Sequence, residues 1–332
     1  MRKIITQISI LIFSCLTALY LEQIAAGQTN MNYRDEMRKL VMLISSRSKN
    51  AKPDFVVVPQ NAMDLISKNK KHDGEILQDY ISAIDGTGCE ELYFGHGKDG
   101  EKTAKQTTDY FLNYLQIFRN QGKAVLVIDY VTNKKQAYES FTLNQKQGFI
   151  SFQANRSLTE IPPWIFDNNN NAITNIIKAK NFLYILNASK FRTPSSYINA
   201  LKNSLNDLIV IDAFFWGKIL TGEQLNIIQK KPSGKKRLVL AYLSIGEAEE
   251  YRYYWKREWK ENPPAFLERE NPEWKGNYKV KYWIDDWKEI ICGRVNGSGF
   301  EQSYLKKIID SGFDGVYLDI LDAAYYFEKR HK

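Results

Sequence analysis

The chain predicts an α/β fold on parallel strands, a (β/α)8 TIM barrel. Three observations carry that expectation. Short apolar runs alternate with helical patterns along the whole length, and such alternation implies parallel strands. The runs near residues 55, 88, 125, 150, 183, 209, 239, 280 and 316 make nine strand candidates, one more than the barrel needs. Several end in a carboxylate or amide, namely Gln60 and Asn61, Glu90, Asp129, Asp212, Glu247 and Asp319. Chemistry in such folds gathers at the C-terminal ends of the strands.

Each element has a local reason. Residues 33–46 carry Met37, Leu40, Val41, Leu43 and Ile44 at helical spacing. Phe55-Val56-Val57-Val58 then reads as a buried strand bounded by prolines. Helical pieces at 63–66 and 75–83 lead to a second short strand at 84–93, with acids at its end. The glycine-rich loop at 95–97 lacks a strand-to-helix phosphate fingerprint, so nucleotide binding is not expected there. Helix 107–120, strand 124–128, helix 134–143 and strand 149–152 follow. Residues 161–180, with Pro162, Pro163 and the asparagines at 168–171, read as a polar linker. The alternation then resumes: strand 181–186, helix 196–204, strand 208–211, helix 221–230 and strand 237–243. An aromatic, charged excursion at 255–287 contains the strand candidate 278–283. Helix 302–311 stops at Gly312, a left-handed terminator. Gly315-Val316-Tyr317-Leu318 next delivers Asp319 and Asp322 to a strand end, where partial desolvation can move a carboxyl pKa toward a working value. Such an Asp can equally cap a helix or complete a buried ion pair.

At 332 residues, 44% apolar, the chain can bury one large core. Its charge of +8 is dispersed over lysines, which argues against nucleic acid as a partner. Met1-Arg2-Lys3, the apolar stretch 4–21 and Ala25-Ala26-Gly27 read as an export signal over residues 1–27, giving a periplasmic or extracellular protein. An uncleaved membrane anchor and a lipoprotein cleavage before Cys15 are the rival readings of that segment. Outside it, Cys89 and Cys292 allow one disulfide at most, so the fold must stand on its core. His72, His96 and His331 show no metal-ligand spacing, and neither metal nor cofactor is expected.

Three strings carry a family resemblance: residues 240–255 with Ser244-Ile245-Gly246-Glu247-Ala248-Glu249, residues 271–283, and Gly312 to Ala323. With shorter pieces at 57–61, 84–93 and 127–131, the chain resembles the endo-α-1,4-polygalactosaminidase-related glycoside hydrolases, family 114. The resemblance implies one barrel over residues 28–332 in circularly permuted order. Residues 28–160 would match family strands six to eight, 161–180 would be the linker, and 181–332 would match strands one to five. It further implies an endo-acting enzyme cleaving α-linked galactosamine polysaccharide with retention; the protein is expected to be a monomer. Its acids would lie at the fifth and seventh strand ends, Asp319 and Glu90. Tyr317 and Ile320 replace Asp and Asn common in the family, which implies a different substrate or a non-hydrolytic member.

Physical reasoning fits that pair. A retaining glycosidase needs two carboxyls about 5–5.5 Å apart, one ionised and one protonated. Asp319 is the expected nucleophile and Glu90 the acid/base, because Cys89 and Leu92 beside it would raise its pKa; the order can also be reversed. Asp212, Glu247, Asp129, Asn61 and Asp322 are candidates to bind sugar hydroxyls or amines, and Tyr242, Tyr282 and Trp283 to stack on pyranose rings. The rival class is a non-catalytic carbohydrate-binding envelope protein on the same fold.

Overall fold

The computed structural model describes residues 31–331. The export-signal segment lies outside the described residues; within them, no helix is long and apolar enough to cross a membrane.

Eight parallel strands organise the molecule: β1 (Val56–Pro59), β2 (Gly86–Glu90), β3 (Ala124–Tyr130), β4 (Ile150–Ala154), β5 (Phe182–Ile185), β6 (Leu208–Asp212), β9 (Leu238–Ser244) and β13 (Gly315–Asp319). They form a five-stranded sheet in the order β1-β13-β9-β6-β5 and a three-stranded sheet β2-β3-β4. Single parallel bridges, Gln60 with Gly88 and Ser151 with Asn181, link the edges of the two sheets. The hydrogen-bonded ladder is therefore not continuous around a closed barrel. The five-stranded sheet is nevertheless curled, since the Tyr184 hydroxyl of β5 reaches Gln60 Oε1 beyond β1 at 3.2 Å.

Helices cover the other face of the sheets: α1 (Tyr33–Ala51), α2 (Gln78–Ala83), α3 (Lys105–Asn120), α4 (Lys134–Gln147), α5 (Pro194–Asn203), α6 (Gly222–Ile228), α7 (Asp285–Ile291), α8 (Tyr304–Ser311) and α9 (Ala323–Arg330). Gly312 ends its helix, α8, at φ +99°, as the sequence suggests. Thr221 accepts from the Gln224 amide at the start of α6.

The ninth strand candidate corrects the expectation. Residues 278–283 contribute β12 (Asn277–Val280), which pairs antiparallel with β10 (Glu247–Glu249) and β11 (Leu267–Glu270) in a separate small sheet. A hairpin, β7 (Phe214–Phe215) with β8 (Lys218–Ile219), completes the strands. Four parallel strands thus precede the linker and four follow it, rather than three and five. Counted from β5, Asp319 ends the fourth strand and Glu90 the sixth; β1 still lies between them.

The asparagine-rich linker is pinned. Lys231 and Asp207 form a buried ion pair. Asn169 donates to Asp207 at 2.8 Å, and Lys231 donates to the Asn169 and Asn171 carbonyls at 3.1 and 2.9 Å. Cys89 and Cys292 are both buried and free.

Candidate active site

Side chains alternate faces along a strand, and parallel register carries the alternation from strand to strand. Asp319 aligns with Ser244, Tyr317 with Tyr242, Tyr242 with Asp212, and Val210 with Tyr184. On the smaller sheet Glu90 aligns with Ile128, two residues before Tyr130. One face therefore presents Glu90, Tyr130, Tyr184, Asp212, Tyr242 and Asp319, and all six line one cleft of about 1030 Å³.

Glu90 is held by neutral donors. Tyr130 and Gln60 donate to its two oxygens, and Asn61 Nδ2 donates to Oε2 at 3.1 Å. Asn61 takes a left-handed φ of +57° and also accepts from the Glu90 amide at 3.2 Å, so it clamps the strand end from both sides. Asp319 accepts from the Tyr242 hydroxyl at 2.9 Å and from the Ile320 amide at 2.7 Å. Among the described residues, neither carboxyl has an ion-pair partner. Burial, followed by the field of Glu90, pushes the Asp319 pKa up to about 8. Burial also raises Glu90, but the Tyr130 and Asn61 hydrogen bonds pull against it. The ionised form is thus better supported at Glu90. Cys89 and Leu92, expected to raise Glu90, are fully buried outside the cleft lining; neighbours in sequence are not the groups that face this carboxyl.

The other acids separate by partner. Asp212 lines the cleft but is ion-paired to Arg252 at 2.7 Å, and Glu247 to Lys279 at 3.1 Å with Asn271 at 2.8 Å. Asp322 lines the cleft, exposed, with no side-chain partner among the described residues. Asp129 corrects the expectation. It points to the helix side, where it accepts from the Tyr93 and Phe94 amides, Ser140 and Asn144, so it staples the loop after β2 to α4. Strand alternation is the reason: Tyr130 faces the cleft, so Asp129 cannot.

The aromatic candidates divide likewise. Tyr242 lines the cleft as the donor to Asp319. Tyr282 is fully buried and donates to the Tyr33 carbonyl at 2.7 Å, and the half-buried Trp283 packs edge-on against Phe327 at 4.7 Å, so both pack with the core and neither lines the cleft. The exposed rings on the cleft are Trp216, Tyr251, Tyr253 and Trp274, on loops beyond the strands. They carry no periodic signal in sequence. Tyr130 and Gln60 could have been read from strand alternation alone.

Comparisons with known proteins find relatives that match part of the chain. An uncharacterized protein of Methanocaldococcus jannaschii is 42% identical over 185 residues, covering 54% of this chain and 49% of its own length. An uncharacterized protein of Deinococcus radiodurans is 35% identical over 133 residues, 40% of this chain and 39% of its own. An uncharacterized protein of Thermotoga maritima is 48% identical over 88 residues, 26% of this chain and 24% of its own. The chain thus spans about half the length of the first of these relatives and less of the others. Asp319, Asp212, Tyr242, Glu247 and Asp322 fall in the part of the chain that a family model matches, and Glu90, Asn61 and Tyr130 fall before it. The second half of the chain is similar to glycoside-hydrolase family GH114, whose model matches residues 168–331.

Proposed function

We propose that the cleft hydrolyses a glycosidic bond with Glu90 and Asp319 as its two carboxyl groups. The observation that carries this reading is the pair itself. Two carboxyls on one face have no cationic partner among the described residues; burial raises both, the field of Glu90 helps carry Asp319 up to about 8, and the Tyr130 and Asn61 hydrogen bonds favour the ionised Glu90. That is the acid/base arrangement glycoside hydrolysis needs. In our reading Asp319 holds the proton and donates it to the leaving oxygen, while Glu90 stays ionised and attacks the anomeric carbon. This is the reverse of the role order suggested by the sequence.

The scaffold we propose is a single (β/α)8 barrel in permuted order. The two edge bridges support it, as does the first strand pairing with the last, Val56 beside Gly315. For the substrate we propose an α-linked galactosamine-containing polysaccharide, cut internally with retention by an exported protein. Asp322, an exposed carboxylate without a partner among the described residues, suits a protonated amino sugar.

The test is reducing-end release from partially deacetylated galactosaminogalactan by the purified protein, Asp319→Asn and Glu90→Gln. Each variant should lose at least about 100-fold while remaining folded. Nuclear magnetic resonance of the first product should show retained anomeric configuration. Release unchanged in both variants would end the assignment, and binding without release would leave the carbohydrate-binding class.

A further inference from the structure

Trp216 sits where a tryptophan is least expected. It is the first of two residues joining β7 to β8, with φ +50°, and Gly217 follows at φ +77°. Two-residue hairpins favour turns with both φ values positive, a demand usually met by Asn-Gly. An aromatic residue there is strained by about 1–3 kcal/mol. The indole is 70% exposed, and the Phe215 ring stacks against it at 5.9 Å and 24°. Trp274, in the turn between β11 and β12, is 60% exposed and lines the same cleft. Each is a flat apolar face left open to water on a cleft that carboxylates and phenols also line.

We propose that Trp216 and Trp274 are outer sugar-stacking platforms, so the cleft takes a glycan chain of several units rather than a single terminal sugar. A pyranose has an apolar C–H face and a hydroxyl edge, and an exposed ring with carboxylates on the same cleft complements both. Glu90, Asp212, Glu247, Glu249, Asp319 and Asp322 line the same cleft and offer acceptors to the hydroxyls of a bound glycan. The cleft volume of about 1030 Å³ lies at the upper end of the range for drug-sized ligands, which exceeds what one sugar fills. This inference rests on the proposed carbohydrate cleft, and not on its hydrolytic step.

The experiment is calorimetric titration of the Glu90→Gln protein with α-1,4-linked galactosamine hexamer and dimer, in the Trp216, Trp216→Ala, Trp216→Phe and Trp274→Ala backgrounds. Thermal unfolding of each variant serves as the folding control. Trp216→Ala and Trp274→Ala should each weaken hexamer binding about tenfold, as the loss of one face-on contact, and change dimer binding less than about twofold. Trp216→Phe should restore most of the loss. Hexamer affinity within about twofold of the parent in both alanine variants would overturn the platforms, whether or not the wild-type protein hydrolyses the hexamer. A tenfold loss without hydrolysis by the wild-type protein would uphold the platforms and remove the hydrolase reading. Absence of hexamer binding by the parent would overturn both.

Discussion

Tyr130 and Glu90 come from adjacent parallel strands, and the phenol donates its hydrogen to Glu90 Oε1. The Arg156 guanidinium lies 4.0 Å above the same phenol ring, paired in turn with Glu91 at 2.6 Å and Asp99 at 2.7 Å. The donor to Glu90 is therefore itself braced by a cation from the loop after β4.

Removing that donor should separate positioning from folding. Tyr130→Phe deletes one hydrogen bond to a charged group, worth about 1.5–3 kcal/mol. We expect kcat on the galactosamine polymer to fall about 10–100-fold, and the acidic limb of the pH–rate profile to move to higher pH, because Glu90 then protonates more easily. An unshifted limb with a reduced rate would mean that Tyr130 only packs.

Stability should depend on pH through Asp319. Its pKa is about 8 in the fold and about 3.9 in an unfolded chain. The native state holds this proton more tightly, so the unfolded state binds fewer protons between those values. The stabilising contribution is full below about pH 4 and is lost as pH rises through about 8, with a slope of at most about 1.4 kcal/mol per unit. Urea midpoints measured from pH 4 to 8.5 should fall more steeply for the parent than for Asp319→Asn. Parallel curves would show that Asp319 ionises freely.

Gly88 faces the Tyr317 hydroxyl so closely that an added Cβ would lie 1.9 Å from it. That hydroxyl is buried and has no hydrogen-bond partner among the described residues. Gly88→Ala should therefore cost about 1–3 kcal/mol by overpacking. Tyr317→Phe should be neutral or stabilising, because it removes a buried polar atom that no bond compensates. Chemical denaturation of the two single variants checks both signs, and a destabilised Tyr317→Phe would reveal a partner, such as a water, on that hydroxyl.

How far the site was legible in sequence follows from the kind of signal each residue carries. Asp319 and Glu90 end strands whose apolar runs are unmistakable, and an acid at that boundary stands out. Asp129 ends a strand as well, yet one step of alternation turns it to the helix side. Tyr282 and Trp283 look like binding rings by composition, and their contacts pack them with the core instead. Trp216 and Trp274 lie on loops whose course depends on distant elements, so no local pattern announces them.

The sequence by itself determined the alternation of strands and helices, the helix stop at Gly312, the parallel class of the main sheets and the strand-end acids, because propensity and periodicity act over a few residues. The tertiary structure decided which face each strand turns to the cleft and which acids find cationic partners. It also decided that the strand candidate near residue 280 belongs to a separate antiparallel sheet and that the asparagine-rich linker is tied to Lys231 and Asp207. Those outcomes depend on register and on contacts between residues more than 20 positions apart, which only the folded chain brings within hydrogen-bonding distance.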